Sequence, residues 1–233
     1  MVGIREFRCF FLGFFAISIL QVQNFQAAAP VLPLASEAST TFVYHGTSGF
    51  GEGLGFGQAL TTFTELSTAI DSEGDVHVAY GIGNNQNNKT AVYVRQWDGS
   101  SWSGVGSSQP VTDGGRRYTL LIGSDDIPYL SYLAESNSQY SIPEVLKFDG
   151  NDWVEAGTGL NFTANSMAMA LDETNVPHIA VAVLTASDGA VYKLVNGAWV
   201  AQGSPSFTIW DGGAGRIPGM AFNGSDLYLS HIS

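Results

Sequence analysis

Two short glycine-rich segments hold three of the few arginines in this chain, and they are the strongest chemical signal in the sequence. Arg116 and Arg117 occur in DGGRRY, and Arg216 occurs in IWDGGAGRIPG together with Trp210 and Asp211. A guanidinium group can hold a carboxylate or a phosphate through two parallel hydrogen bonds, and an indole ring can pack on the face of a sugar. We therefore predict that these five residues form a ligand-binding site.

A second set of candidate residues recurs once in each of four similar segments. His77, Tyr129, His178 and Tyr228 lie at equivalent places in DSEGDVHVAY, GSDDIPYLSY, DETNVPHIAV and NGSDLYLSH. A neutral imidazole nitrogen can act as a base or as a metal ligand. Because the four residues recur at a regular spacing, we expect them to be spread around the molecule as structural residues, and we predict no catalytic residue.

The turns that precede these residues are rich in carboxylates. Asp71, Glu73 and Asp75 alternate around Gly74, a spacing similar to the start of a calcium-binding loop. The glutamate that completes such a loop is missing, so we interpret the turns as solvated and predict no metal site and no cofactor, with calcium as the alternative. The sequence also contains no HExxH motif and no phosphate-binding glycine loop with lysine.

All of these residues belong to an internal repeat of about fifty residues. Between the four similar segments lie three hairpin segments, in which Asp-Gly or Asn-Gly marks a tight turn. Each hairpin ends with a tryptophan four residues before a glycine, at Trp102, Trp153 and Trp199. With a short apolar run before each acidic turn, every repeat is predicted to form four strands.

Four strands of this length have the size of one blade of a β-propeller. We predict an all-β propeller of four blades over residues 42–233, preceded by a linker at 30–41. Residues 42–55 provide the third and fourth strands of a repeat, and the last repeat provides the first and second, so the N- and C-terminal strands are expected to share one blade. The alternative is a fragment of a propeller of about six to eight blades.

The repeat resembles those of secreted, mostly bacterial β-propeller proteins. The likeness rests on the apolar strand, the acidic turn, the His/Tyr strand and the aromatic-Asp-Gly-x-x-Trp hairpin, and it covers residues 42–231. It implies a fold rather than an activity, because propellers include binding modules, lectins and hydrolases. The hairpins WDGSSW and FDGNDW are also faintly similar to the Asp-box of sialidases, but they lack its Ser/Thr before the aspartate and its following glycine.

The first 29 residues are predicted to be a signal peptide. Arg5 and Arg8 precede an apolar run from Cys9 to Val22, and small residues follow at 27–29. A run of about fourteen residues is short for a membrane span and suits a signal peptide, although an anchor helix is the alternative. We therefore predict a secreted, periplasmic or extracellular protein with no membrane span after signal removal.

Composition limits the partners of the chain. The formal net charge of −12 disfavours nucleic acid and anionic lipid. We expect a secreted module that binds an extracellular glycan or protein through the face where the connecting loops emerge, and the sequence leaves the oligomeric state open. One alternative is an enzyme of glycoside-hydrolase type, which needs two carboxylates about 5 to 10 Å apart. The other is a purely structural or adhesive repeat protein.

Overall fold

The computed structural model describes residues 5–6, 63–84, 89–107, 109–135, 141–183, 188–208 and 216–232. In these ranges all regular secondary structure is β-strand, which confirms the predicted fold class. The chain divides into two compact units, one of residues 1–8 with 56–233 and one of residues 9–55. Every described residue belongs to the first unit.

The described strands reproduce the repeats of the sequence. A short first strand, β1, is Arg5–Glu6. Blade 1 contains β2 (Phe63–Ile70), β3 (Val76–Asn84), β4 (Lys89–Trp97) and β5 (Trp102–Gly104). Blade 2 contains β6 (Gly115–Ile122), β7 (Pro128–Glu135), β8 (Ser141–Phe148) and β9 (Trp153–Glu155). Blade 3 contains β10 (Ala164–Leu171), β11 (Pro177–Val183), β12 (Asp188–Val195) and β13 (Ala198–Thr208). Blade 4 contains β14 (Arg216–Asn223) and β15 (Asp226–Ile232).

The strands of each blade form an antiparallel meander in sequence order. The first strand of every blade is the inner strand, because β2 contacts β6, β6 contacts β10, and β10 contacts β14. A pairing between Ala164 and Ser141 also joins blade 3 to blade 2. Successive blades therefore follow one another around their inner strands, which is the arrangement of a β-propeller.

Apolar side chains pack between consecutive blades rather than within one. The second strands show the reason, because Leu130 and Ile179 point to one side of their blades while Ser131 and Ala180 point to the other. All four side chains are completely buried. The predicted pattern of an aliphatic residue followed by a small one is thus confirmed as the signature of sheets covered on both faces.

The acidic turns join the blades at one end of the molecule. Ser72 of blade 1 donates hydrogen bonds from its backbone nitrogen and its hydroxyl to the carboxylate of Asp126 in blade 2. Ser124 of blade 2 repeats this contact, with its backbone nitrogen 2.9 Å from Oδ1 of Asn175 in blade 3. Asp126 and Asn175 have φ of 58° and 61°, a left-handed conformation that aspartate and asparagine tolerate better than most residues.

The hairpins join the blades at their outer edges. The Trp153 indole nitrogen donates to the carbonyl of Val105 in the preceding blade at 2.8 Å. The Ser107 hydroxyl donates to Oδ2 of Asp152 at 2.7 Å. Within the first hairpin, bonds donated by Ser101 and Ser100 lower the pKa of Asp98 to about 2. The Asp-Gly hairpins are therefore joints between blades.

The predicted sharing of a blade between residues 42–55 and the last repeat lies outside the described residues, as do the linker and most of the signal peptide. Next to blade 4, β1 pairs in parallel with β15, with Arg5 opposite Tyr228. No helix in the described ranges is long and apolar enough to cross a membrane.

Candidate functional site

The predicted arginines lie at the end of the molecule opposite the acidic turns. Arg116 pairs with Leu133 near the start of β6, and Arg216 pairs with Ile232 at the start of β14. Both inner strands shift register just after the arginine, so the two residues occupy equivalent bulges. The antiparallel register also places the β7–β8 connection at this end, which we call the loop face, in agreement with the predicted position of the loops.

The guanidinium group of Arg116 contacts its own blade. Its Nε and Nη2 donate to Oγ of Ser141 at 3.0 and 2.6 Å, and Ser141 is almost completely buried. Arg117 follows in the bulge with φ of 52°. Trp210 and Asp211 lie outside the described residues. The structure therefore brings the backbones of Arg116 and Arg216 to the same face, and their predicted role in ligand binding stays a prediction.

Between these two arginines lies blade 3, which has an asparagine at the equivalent position. Asn165 precedes Ser166 in the bulge of β10. Its Oδ1 is buried and has no hydrogen-bond partner within the described part of the chain. An unpaired buried carbonyl oxygen costs free energy.

A cavity of about 420 Å³ opens on the outer part of blade 2 at the loop face. It is lined by Ile142, Pro143, Glu144, Val145, Glu155, Gly157, Thr158, Gly159, Leu160 and Asn161. The cavity exists because the outer strand β9 ends at Glu155, where the chain leaves β8 and crosses to blade 3. Only the Ala156 nitrogen still reaches the Val145 carbonyl, at 2.9 Å.

Beyond the pairing of Ser141 with Ala164 of β10, the outer edge of β8 is therefore unpaired as far as Val145. Backbone groups point alternately to the two sides of a strand, so Pro143 faces the same side as Val145 and turns its carbonyl toward the cavity. Proline lacks an N–H and is accepted in sheets where no outer strand pairs with it. Pro143 thus marks this stretch of β8 as an edge, and it leaves the cavity with a free acceptor.

Two carboxylates, Glu144 and Glu155, are the charged groups that line this cavity, and a buried tyrosine contacts one of them. The Tyr132 hydroxyl, on the neighbouring strand β7, donates to Oε2 of Glu144. Burial raises the pKa of Tyr132 above its usual value, and the Glu144 carboxylate raises it further, so the hydroxyl stays a donor. Glu155 pairs with Leu146, so Glu144 and Glu155 lie on the same sheet face as diagonal neighbours, with Cβ atoms about 7 Å apart.

The lining favours ligands rich in hydroxyl groups. Ionised carboxylates accept hydrogen bonds and repel anions, and the side chains of Asn161 and Thr158 add a neutral donor and acceptors. None of the lining residues is basic. Ile142, which is 39% exposed, offers an apolar surface at the same place. Such a mixture of apolar surface and a few placed polar groups is typical of binding pockets for small molecules.

The sequence analysis did not identify Glu144 or Glu155, although the repeat contains a signal for both. The registers make Tyr93 and Ala190 the equivalents of Glu144 in blades 1 and 3. The residue two after each hairpin tryptophan is glycine in blade 1, glutamate in blade 2 and alanine in blade 3. Both carboxylates are therefore departures of blade 2 from its own repeat.

The His/Tyr position has a structural role, as predicted. Nε2 of His77 lies 3.0 Å from Oδ2 of Asp71, and Nε2 of His178 lies 3.1 Å from Oδ2 of Asp172. Both imidazoles are buried at the end away from the cavity. In blade 2, where tyrosine replaces the histidine, Gly123 replaces the aspartate. The histidine and the aspartate are thus replaced in the same blade, because each is the hydrogen-bond partner of the other.

The carboxylates of the acidic turns are used by the turns themselves. Asp71 Oδ1 accepts the backbone nitrogens of Glu73 and Asp75 at 3.1 and 2.9 Å. Over the described ranges, no group of three or more His, Cys, Asp or Glu side chains has a geometry suited to a metal ion.

Comparisons with known proteins found no matching family model and no matching curated protein. Among solved structures, a glycosyl hydrolase from Bacteroides ovatus is 9% identical, with a TM-score of 0.48 over 72% of this chain and 59% of that one. A fucose lectin from Kordia zhangzhouensis, in complex with methyl-fucoside, is 19% identical, with a TM-score of 0.41 over 60% of this chain and 99% of that one. A member of the GH130 family of mannoside phosphorylases is 8% identical, with a TM-score of 0.47 over 72% of this chain. This chain spans 59% of the length of that GH130 structure.

Proposed function

We propose that the protein is a secreted propeller module that binds a neutral glycan in the cavity of blade 2. The observation that carries the proposal is that Glu155 and Glu144, which accepts a hydrogen bond from the Tyr132 hydroxyl, line one cavity of about 420 Å³ at the loop face. Secretion rests on the N-terminal sequence alone.

The chemistry of the cavity selects the class of glycan. Sugar hydroxyls donate well to carboxylates, and the volume accommodates about one or two sugar rings. A sialylated or uronic glycan would place its carboxylate beside two glutamates, and no cation lines the cavity to offset the repulsion. Such a glycan should therefore bind more weakly than a neutral one. The arginines of the loop face, Arg116 and Arg216, are proposed to contribute at the rim, where Arg116 donates to Ser141 at the start of β8.

The test is calorimetric titration of the protein with neutral and acidic oligosaccharides chosen from a glycan array. Glu144→Gln and Glu155→Gln replace a charged acceptor by a neutral amide, and each is expected to weaken binding of the neutral glycan about tenfold, because hydrogen bonds to charged groups are the stronger kind. Glu173→Gln, an exposed change in an acidic turn, is the matched control. Equal affinity in all three variants would contradict the assignment of the cavity.

A second candidate function, glycoside hydrolysis, is favoured by the same pair of carboxylates. Their diagonal placement suits a pair of acid and nucleophile or acid and base, which require separations of about 5 to 10 Å. Release of p-nitrophenol from aryl glycosides, lost in both Glu144→Gln and Glu155→Gln, would identify an enzyme. Tight binding of an intact glycan with no release from any aryl glycoside would leave binding as the function.

A further inference from the structure

The carboxylate of Glu144 is held by a residue that does not itself line the cavity. Tyr132 on β7 lies directly opposite Glu144 on β8, and its hydroxyl donates to Oε2 of the carboxylate. Tyr132 is only 3% exposed, so a ligand in the cavity does not reach it. A free glutamate side chain has several rotamers, and this hydrogen bond restricts which of them Glu144 adopts.

The ring of Tyr132 is in turn fixed by the interface between blades 1 and 2. It belongs to the apolar cluster between these blades, together with Val92 of β4. Gly115 at the start of β6 packs so closely that an added Cβ atom would lie 2.9 Å from Val92 Cγ2 and 3.1 Å from Tyr132 Cδ2. The ring therefore has no free space on this side, and its hydroxyl meets the carboxylate at a fixed point.

The other blades show that the fold does not need this pair. Tyr80 and Tyr93 occupy the equivalent places in blade 1, where their rings stack with centroids 5.4 Å apart. The equivalents in blade 3 are Val181 and Ala190, which are both buried. Among the described strands of blades 1 to 3, a buried hydroxyl donor opposite a carboxylate therefore occurs only in blade 2, which also has the cavity.

We propose that Tyr132 is a positioning residue of the glycan site, which fixes the Glu144 carboxylate in the orientation that accepts a sugar hydroxyl. The inference rests on the proposed function and adds a residue that does not contact the ligand. A side chain that is already fixed loses little rotational freedom on binding, and this strengthens the complex. Glu155 is exposed at the end of β9, so Glu144 is the fixed carboxylate of the pair and Glu155 the adaptable one.

The first experiment needs no ligand. NMR of protein labelled with carbon-13 glutamate observes the side-chain carboxyl carbon of Glu144, identified by the loss of its resonance in Glu144→Ala. Tyr132→Phe removes only the hydroxyl and should shift this resonance, because the carboxylate loses a hydrogen bond. Tyr80→Phe is the matched control, since it removes a hydroxyl from the equivalent buried place in blade 1 and should leave the resonance unchanged. An unchanged resonance in Tyr132→Phe would overturn the proposal.

The second experiment is a double-mutant cycle, measured by calorimetry with the neutral oligosaccharide that binds most strongly on a glycan array. Tyr132→Phe is expected to weaken binding about fivefold, the usual loss for one hydrogen bond. In the Glu144→Ala background the same change should have no effect, because no carboxylate is left to position. Equal weakening in both backgrounds would mean that Tyr132 only supports the fold, and the positioning role would be wrong.

The single variants separate this inference from the proposed function. If Glu144→Ala weakens glycan binding and Tyr132→Phe does not, the positioning role is wrong and the glycan site remains. If Glu144→Ala binds the oligosaccharide as tightly as the wild-type chain, the cavity is not the glycan site and both proposals fail.

Discussion

At the scale of single residues, the acidic turns show how a charged side chain can be structural. Oδ1 of Asp172 accepts bonds from the Thr174 hydroxyl at 2.7 Å and from the backbone nitrogens of Thr174 and Val176 at 2.9 and 3.0 Å. Its Oδ2 contacts Lys193 and His178 at 2.9 and 3.1 Å. Burial alone would raise the pKa of Asp172, but these hydrogen bonds outweigh it and hold the pKa well below its usual value.

Asp172→Asn should therefore lower the free energy of unfolding by about 2 kcal/mol at neutral pH, because hydrogen bonds to a charged group are lost and Lys193 loses its counter-ion. Urea unfolding measures this loss. Glu73→Gln, an exposed change in the equivalent turn of blade 1, should have almost no effect. An equal loss in both variants would show that the turn, rather than the buried bonds, sets the stability.

The same cluster predicts the direction of the pH dependence. Burial lowers the pKa of His178, so the unfolded chain binds a proton first and stability declines as the pH falls below about 6.5. The lowered pKa of Asp172 adds a further decline below about pH 4, where the unfolded carboxylate takes up a proton. In the Asp172→Asn variant, the loss of stability below about pH 4 should be smaller than in the wild-type chain. Thermal unfolding of both proteins from about pH 3 to about pH 8, a range that covers the titration of the two groups, measures the difference.

At the scale of elements, the hairpins act as joints, and the tryptophans do not contribute equally. The Trp153 indole nitrogen donates to Val105 of the preceding blade, whereas the Trp199 indole nitrogen is buried and has no hydrogen-bond partner in the described structure. The repeated tryptophan thus fills the same space in both blades but forms this hydrogen bond between blades only once.

Trp153→Phe should cost about 1 kcal/mol more than Trp199→Phe. Both changes remove similar volume, so the difference isolates the hydrogen bond to Val105, whose carbonyl would lose its donor. Chemical denaturation of the two variants and the wild-type chain gives the comparison. Equal losses of unfolding free energy would mean that the tryptophan stabilises the protein through its volume alone. The contact between these hairpins would then depend on the hydrogen bond between Ser107 and Asp152.

At the scale of the whole molecule, each blade depends on its neighbours for burial. The clusters between blades hold the fully buried side chains, including Leu120, Leu130 and Ile179, while β2 keeps Leu66 and Ile70 in solvent. Stability in a repeat protein is a sum of repeat and interface contributions, so a strand whose apolar side chains lack part of such an interface is expected to be less protected.

Amide hydrogen exchange should therefore be slowest in β7 and β11 and faster in β2 and β15. Uniform protection of these four strands would contradict the dependence of each blade on its neighbours.

The sequence by itself determined the repeat, the strand order and the alternation of apolar and small residues, because a strand covered on both faces needs side chains of fixed size at fixed spacing. Only the tertiary structure decided where the chemistry lies. Glu144 and Glu155 are eleven positions apart in the chain and become neighbours through the register of β8 and β9, while the early end of β9 opens the cavity between them. The Asp-Gly turn of the hairpin sets that register. The point where the two strands separate depends on packing between blades, and no local pattern of residue types encodes it.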